Sequence, residues 1–386
     1  MLSQYEALHP YVLAFVVMVI AFMAVFALYA VYAERKLAAW IQDRMGPMEV
    51  GPRGLLQTLA DILKLLLKET IVPTTANRWL FLLAPLLVFV AIFTGFAFVP
   101  LAPGLAGSAV DVSALFLLAV VSADVVGLLM AGWASNNKYA LLGSFRSVSQ
   151  IISYEIPAGL SVLAVVMVFG TLSLSDIVLQ QGVLGSPHYF LGLWEASAHG
   201  GIFSWAVFQH PHLLLVAAIF LVAGLAEANR APFDIPEAES ELVSGFHTEY
   251  SGFRFAVLML AEYGMMLLVA LVATLLFFGG WNTPLPNLVA LPAGVGPEDL
   301  SSWQLLSSLQ FAYLTTGLPG SLGGLFWGVL WTLLKAFVLV GGMMWVRWTL
   351  PRLRADQLMT LCWKYLTPAA LALVLLSALW KATLPV

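Results

Sequence analysis

Long apolar runs alternate with shorter polar segments along the whole of the 386-residue chain. A helix that crosses the hydrocarbon core of a bilayer needs about 20 apolar residues, each of which advances it by about 1.5 Å. Because lipid offers no hydrogen-bond partners to the backbone, each of these runs must be helical. The pattern predicts an all-α integral membrane protein with eight transmembrane helices. The expected spans are about 11–33, 79–100, 112–134, 148–170, 211–228, 255–278, 325–346 and 364–383.

Residues 54–69 have the pattern of an amphipathic helix. Apolar and polar residues recur at helical spacing on two separate stripes, so this helix should lie in the membrane interface with its apolar face in lipid. It is either a surface anchor or one wall of a cavity that opens to the bilayer. The apolar stripe holds Leu55, Leu59, Ile62, Leu63 and Leu66, and the polar stripe holds Gln57, Asp61, Lys64 and Lys68.

The stretch 227–263 is the most acidic part of the chain, with six of the 21 Asp and Glu residues in its first 23 positions. Pro232 and Pro236 keep its first part out of a continuous helix. A capping-box pattern begins at Asp234, so a short helix is expected over about 235–244, before a glycine.

Glu237 and Glu241 lie one turn apart on this short helix, where like charges repel each other. Apolar residues interleave with the acids, which favours a packed, partly buried acidic chamber over a solvated loop. The two carboxylates therefore need protons or cationic partners. The candidate partners are Arg35, Lys36, Lys64, Arg230 and Arg254.

The two long segments 171–210 and 279–324 are rich in Gly, Pro and Trp and carry no Lys or Arg. We expect them to form short helices that lie on the membrane surface. The chain shows no internal repeat and no polar linker. Residues 1–386 are therefore expected to form a single polytopic membrane domain.

The composition supports the membrane class and excludes others. The chain is 61% hydrophobic and only 10% charged, whereas about a quarter of a soluble domain is charged. A net charge of −4 does not favour nucleic-acid binding. The single cysteine cannot form an internal disulfide or hold an iron–sulfur cluster by itself. A redox centre would have to belong to a partner or a diffusible substrate.

The distribution of positive charge predicts the orientation. Of the 17 Lys and Arg residues, 15 lie in segments that would share one side of the membrane. Lys and Arg accumulate in cytoplasmic loops, so the acidic stretch should be cytoplasmic and both termini periplasmic. The segment before 11–33 lacks the basic residues of a signal peptide, so that run is expected to remain as a transmembrane helix.

Ionisable residues inside or at the ends of the predicted spans are candidates for chemistry. An ionised side chain near the bilayer centre costs about 2.5–3.5 kcal/mol, so such residues face a bundle interior or a water-filled path. Static ion pairs are the alternative, but one Lys cannot neutralise four acids, and buried carboxylates can exchange protons near neutral pH. The pattern therefore indicates a proton relay. Its candidate members are Asp124, Glu155, Glu227, Glu262 and the base Lys335.

Other catalytic motifs are absent. The chain has no phosphate-binding loop, no dinucleotide-binding glycine motif and no C-x-x-C. His210 and His212 are separated by one proline, but they lack an evident third ligand. No metal site is expected.

Several segments, in the same order along about 34–360, resemble one family of membrane proteins. This is the complex I membrane component that adjoins the quinone site, known as the H subunit in bacteria and as NADH dehydrogenase subunit 1 in mitochondria. The segments are EANRAPFDIPEAESELVSGFHTEYSGFRFAVLMLAEY, AERKLAAWIQDRMGP, VGPRGLLQTLADILKLLLKE, GWASNNKYALLGSFRSVSQIISYE and RWTLPRLRADQLM. The chain departs from the family pattern at Glu49, at Asp124 and in the length of both uncharged loops.

The resemblance implies a tilted bundle of at least eight helices in the bacterial inner membrane. With two peripheral-arm subunits, the bundle would enclose a cavity that isoprenoid quinone enters from the lipid. No cofactor is expected on this chain, since NADH, FMN and the iron–sulfur clusters would lie on partner subunits, next to small membrane-arm subunits and lipid. The residues that match family positions at the quinone tunnel and chamber are Glu34, Arg35, Asp61, Lys64, Arg230, Asp234, Glu237, Glu239 and Glu241. Glu155, Glu227 and Glu262 match carboxylates that link this chamber to the hydrophilic axis of the membrane arm, and Arg347 matches an arginine of the last cytoplasmic loop.

The resemblance implies the quinone-site subunit of a proton-translocating NADH:quinone oxidoreductase, an enzyme subunit without its own redox centre. Two alternatives stay open at this point. One is the equivalent subunit of a membrane-bound hydrogenase or ferredoxin-linked complex, although the stretch from Glu239 to Tyr250 favours the NADH type. The other is a stand-alone ion transporter, for which inverted repeats would be expected.

Overall fold

The computed structural model describes residues 2–108, 110–182, 189–190, 194–195, 200–235, 242–287, 311–316 and 321–383. Almost all of this is helical, as the apolar runs predict. The helices are α1 (Leu2–Ile41), α2 (Gln57–Leu67), α3 (Arg78–Gly95), α4 (Ser113–Val121), α5 (Asp124–Ala134), α6 (Lys138–Phe169), α7 (Leu174–Gln180), α8 (Ala206–Gln209), α9 (Pro211–Glu227), α10 (Phe253–Phe277), α11 (Phe311–Thr316), α12 (Leu322–Thr349), α13 (Ala355–Thr360) and α14 (Thr367–Thr383).

Seven helical segments of the described chain are long and apolar enough to cross a membrane. They coincide with seven of the eight expected spans, and α9 falls on the remaining one but has only 17 residues. The all-α membrane class is therefore confirmed. The seven segments are Val17–Ile41, Arg78–Phe98, Ser113–Ala134, Lys138–Phe169, Phe253–Phe277, Leu322–Thr349 and Ala355–Thr383.

Local sequence signals set the helix ends. The side chain of Asn77 accepts a hydrogen bond from the first turn of α3, and those of Asn137 and Ser321 do so for α6 and α12. Such caps satisfy backbone N–H groups that have no partner within the helix. At its other end, α6 stops at Gly170, whose left-handed φ of 73° suits a residue without a Cβ atom.

The third predicted span is broken in its middle. It consists of α4 and α5, which meet at Ser122 and Ala123. The Ser122 hydroxyl lies 3.1 Å from the carbonyl oxygens of both Leu118 and Ala119, a type of contact that bends helices. Asp124 is consequently the first residue of α5.

The centre of the bundle is α10, which packs against α1, α3, α9 and α12. Every side chain from Met265 to Phe277 is buried, with at most 4% of its surface exposed. This explains why α10 is apolar on all sides. Small residues allow close approach between neighbouring helices: a Cβ atom at Gly224 would lie 2.2 Å from the side chain of Val269.

The bundle has two chemically different ends. We call the "basic end" the one that carries the loops at 42–56, 68–77, 228–252 and 350–354, and the "far end" the opposite one. The amphipathic helix predicted over 54–69 is present at the basic end as α2. Its apolar face is exposed, as expected for a helix that faces lipid, with Leu59, Leu63 and Leu66 each exposed over about half of their surface.

At the far end, one expectation needs correction. Residues 171–210 and 279–324 do contain the short helices α7, α8 and α11, but they also hold an antiparallel pair of strands, Tyr189–Phe190 and Trp194–Glu195. The described helices do not simply lie on a surface, because Leu174, Ile177 and Val178 of α7 are at most 1% exposed. The helix expected over 235–244 falls largely on residues that are outside the described part of the chain.

The close contact between α5 and α6 provides a test of the packing. A Cβ atom at Gly132 would lie 2.3 Å from Cβ of Ser144, whereas one at Gly159 would meet nothing within 4 Å. We expect Gly132→Ala to lower the thermal unfolding midpoint of the detergent-solubilised protein, because overpacking costs about 1–3 kcal/mol. Gly159→Ala is the control and should leave the midpoint unchanged or slightly higher. Equal midpoints for the two variants would contradict this packing.

Candidate functional site

Four helices or their adjoining loops meet at a buried ion cluster near the basic end, which we call the Glu34 cluster. Its members are Glu34 on α1, Arg230 after α9, Tyr263 on α10 and Arg347 on α12. The Tyr263 hydroxyl donates to Oε2 of Glu34 at 2.6 Å, and Nη1 of Arg230 lies 3.5 Å from the same oxygen. Arg347 donates to Oε1 of Glu34. The guanidinium of Arg230 also stacks on the Tyr263 ring at 4.2 Å.

The charges of this cluster decide its character. Glu34 and Arg230 are 5% and 6% exposed. A buried carboxylate is tolerated when charged donors satisfy its oxygens, and here two guanidinium groups and a hydroxyl do so. The cluster therefore joins four separate parts of the chain through one carboxylate and carries more positive than negative charge.

A second, more exposed ion group lies between α1 and α2. Nη1 of Arg35 is 2.5 Å from Oδ2 of Asp61, and Nζ of Lys64 is 3.8 Å from Oδ1. Gln57 also donates to Oδ1. These contacts hold the polar face of α2 against α1 and leave its apolar face outward. The predicted chamber residues Arg35, Asp61 and Lys64 are thus brought together.

The remaining predicted chamber residues are treated unequally by the structure. Asp234 is buried and pairs with Arg352 at 2.9 Å, so the loop after α9 is tied to the segment after α12. Glu237, Glu239 and Glu241 lie outside the described residues.

Carboxylates of the predicted relay line two small cavities inside the bundle. The first, with about 20 Å³ open to the centre of a water molecule, is bordered by Asp124, Glu227 and Glu262. The second, with about 40 Å³, is bordered by Asp124, Glu155 and Glu227. A cavity needs roughly 10–15 Å³ of such volume to hold one water, so each has room for water. Asp124 and Glu227 border both cavities and connect them.

The carboxylates around the second cavity are close enough to repel one another electrostatically. Asp124 is 4% exposed, and its Oδ1 atom has no hydrogen-bond partner within the described part of the chain. Groups with this combination of burial and like-charge neighbours are typical of sites that exchange protons.

Sequence reasoning missed His247, which follows the apolar Phe246 in a short turn, Gly245–His247. Its Nε2 atom lies 2.9 Å from Oε1 of Glu262, and its side chain is only 1% exposed. It also missed Tyr263, since an aromatic residue in an apolar helix gives no sign of a polar role. The H-x-E-Y spacing from 247 to 250 shows a histidine near acids but cannot show which acid it contacts.

Lys335 lies apart from these groups in its contacts. Its Nζ atom donates to three backbone carbonyl oxygens, of Phe278, Gly280 and Asn282, at 2.8, 2.8 and 2.5 Å. It forms no ion pair with a carboxylate in the region that the structure describes. These contacts favour a fixed charge, and its place in a relay stays a prediction.

Comparison with known proteins identifies the family. A family model described as NADH dehydrogenase matches residues 13–378. The chain is 52% identical over 379 residues to a protein of Cytophaga hutchinsonii that is named as the second H subunit of NADH-quinone oxidoreductase, with 95% of this chain and 98% of the relative aligned. The chain belongs to the H-subunit family of NADH-quinone oxidoreductase.

Further relatives agree with this family. The H subunit of NADH-quinone oxidoreductase from Chlorobium luteolum is 48% identical, with 95% of this chain and 88% of the relative aligned. A protein of Rhodothermus marinus named NADH-quinone oxidoreductase subunit 8 is 43% identical, with 91% and 92% aligned. The expected resemblance to a complex I membrane subunit is therefore confirmed, over nearly the full length of the chain.

The Glu34 cluster allows a stability test. We expect Glu34→Gln to destabilise the protein by about 3–5 kcal/mol, because it removes the counter-charge of a buried arginine. The measurement is the thermal unfolding midpoint in detergent. Asp356→Asn is the control, since the Arg354–Asp356 pair is at least 75% exposed and exposed pairs contribute only about 0–1 kcal/mol. An unchanged midpoint for Glu34→Gln would show that the cluster is not required for stability.

Proposed function

We propose that this chain is the quinone-site membrane subunit of a proton-translocating NADH:quinone oxidoreductase. The names of its relatives support the enzyme complex, and the observation that carries the proposal is the series of buried carboxylates beneath an ion-lined basic end. The chain would bind and orient quinone and transfer protons. The electron carriers, namely FMN and iron–sulfur clusters, would lie on partner subunits together with the NADH site.

The quinone path would begin beside α2. The exposed apolar face of this helix would lie in lipid, where an isoprenoid quinone dissolves, while Arg35 and Asp61 line its polar side. The head group would then reach the chamber formed by the Glu34 cluster, Asp234 and the acids Glu237, Glu239 and Glu241. The basic end would face the cytoplasm of a bacterial cell, with the far end and both termini on the other side of the inner membrane.

Reduction of quinone to quinol takes up two electrons and two protons, so it changes the charge in this chamber. Glu262 would respond first, because it is one residue from Tyr263, which belongs to the Glu34 cluster. A proton would pass between carboxylates through water, from the cavity that Glu262 borders to the one that Glu155 borders. Asp124 and Glu227 would be the intermediate acceptors because they border both cavities.

His247 would extend this relay to the acidic loop. An imidazolium Nε2–H can donate its proton to the Glu262 carboxylate 2.9 Å away, which breaks the N–H bond, forms an O–H bond and leaves both groups neutral. The other charged side chains of the helices that pack against its turn are Asp124 on α5, Lys138, Arg146 and Glu155 on α6, and Arg254 on α10. The two open alternatives, a hydrogenase-type subunit and a stand-alone transporter, gain no support from the names of the relatives.

Neutral replacements of the carboxylates test the relay. In the assembled complex we expect Glu227→Gln and Glu155→Gln to lower coupled quinone reduction and proton pumping about 100-fold, the lower range for loss of a positioned proton-transfer group. Asp111→Asn, an exposed far-end acid, is the control. The measurements are NADH:quinone reductase rate and acidification in membrane vesicles. Wild-type rates in both glutamate variants would refute the relay.

Two replacements of His247 separate proton transfer from hydrogen bonding. Glutamine retains a donor for Glu262 but cannot carry a proton at neutral pH, whereas phenylalanine removes both functions. If His247 carries protons, both variants should lose pumping, with the pH dependence of the rate flattened between about pH 5 and 8. Normal pumping by His247→Gln, with loss only in His247→Phe, would assign His247 a structural role instead.

A further inference from the structure

The far end of α10 ends against a buried lysine. After Phe277 the chain leaves the helix, and the carbonyl groups there have no partners within the helix. Nζ of Lys335 donates to the carbonyl oxygens of Phe278, Gly280 and Asn282. Three acceptors match the three N–H donors of an ammonium group, so the geometry is that of a charged side chain.

The surroundings of this ammonium fix it in place. Lys335 is 7% exposed, and Nζ lies 4.5 Å from the centroid of the Trp205 ring, a favourable position for a cation. Its positive charge is balanced by carbonyl dipoles and a ring face, with no carboxylate in an ion pair with it among the described residues. The site is therefore a region of net positive charge within the protein.

A second polar side chain strengthens the same end of α10. Gln181 donates to the carbonyl oxygens of Leu275 and Leu276 at 3.0 and 3.2 Å, and its Oε1 atom accepts from the N–H groups of Ala206 and Gly279. It thus joins α7, α8 and α10. The Lys335 cap, as we call Lys335 with Gln181 and Trp205, holds together backbone that would otherwise be open to water.

A dry layer separates this cap from the carboxylate cavities. The second cavity reaches along α10 as far as Val272. Thr274, Leu275, Leu276 and Phe277 follow, all with 0% exposure. From Val272 to Phe278 the helix advances by about 9 Å. A proton in the second cavity would therefore have to cross this layer and then pass a fixed positive charge.

We propose that the Lys335 cap closes the far end of the carboxylate path to protons. The dry layer offers no water for transfer, and the ammonium repels a cation that approaches from either side, as fixed positive charges exclude protons from other membrane pores. This inference rests on the proposed relay, because a barrier is needed only where protons reach the second cavity. It assigns Lys335 a fixed charge, in place of the exchanging base expected from the sequence.

The charge can be removed with little change in shape. Lys335→Gln keeps two N–H donors but no charge, and Lys335→Arg keeps the charge. Lys381→Gln is the matched control, because Lys381 is also at the far end and donates to one carbonyl oxygen, that of Val168, but is exposed. The assembled complex is reconstituted in vesicles, and the decay of an imposed pH gradient is followed without substrates.

We expect Lys335→Gln to raise the proton leak about tenfold, as a barrier lower by about 1.4 kcal/mol would, while Lys335→Arg and Lys381→Gln remain as tight as wild type. Uncoupled electron transfer should be unchanged in all three, whereas a failed relay proposal would show itself in the Glu227 and Glu155 variants. A wild-type leak rate in assembled Lys335→Gln would overturn the proposal.

A measurement on the wild-type complex covers the case in which Lys335→Gln does not assemble. The N–H groups of Phe278 and Gly280 both donate to the carbonyl oxygen of Thr274. If the layer is dry, these amides should exchange with deuterium far more slowly than those of the largely exposed 42–49 loop in the same sample. Exchange at the same rate as that loop would show that water reaches the cap and would contradict the closure.

Discussion

The cost of holding a charge inside an apolar bundle governs this structure. Each buried charge must be matched, protonated or hydrated, and different parts of the chain use different solutions. Glu34 is matched by two arginines and a tyrosine hydroxyl. Lys335 is matched by three carbonyl oxygens. Asp124 and Glu227 have neither arrangement, and cavities with room for water lie beside them. The fixed charges therefore frame the bundle, and the carboxylates beside the cavities are those suited to change their protonation state.

The central helix α10 brings these two kinds of site together. Glu262 and Tyr263 are neighbours in sequence, but their side chains point about 100° apart around the helix. Tyr263 belongs to the Glu34 cluster, while Glu262 contacts His247 and borders the first cavity. A change of charge at the basic end thus needs to cross only one helical turn to act on the first relay carboxylate. No separate moving element is required to connect the two.

The predictability of the molecule follows the range of the interactions involved. Apolar runs depend on local composition, so the spans and the amphipathic α2 were predicted nearly to their ends. Ionisable residues in such runs are conspicuous, and Asp124, Glu227 and Glu262 do border one cavity. The break at Ser122 depends on a side-chain contact with the preceding turn and could not be read from an unbroken apolar run. The partners of His247 and Lys335 lie 15 and more than 50 positions away, so only the folded chain could show them.

The two-sided use of α10 also limits how its sequence can vary. An insertion or deletion of one residue before position 262 would rotate all that follows by about 100°. The tyrosine would leave the Glu34 cluster, the glutamate would leave the cavity, and the end of the helix would no longer meet Lys335. Substitutions can alter these sites one at a time, but a change of length would disturb all three together. We therefore expect α10 to tolerate point changes on its apolar positions far better than any change in its number of residues.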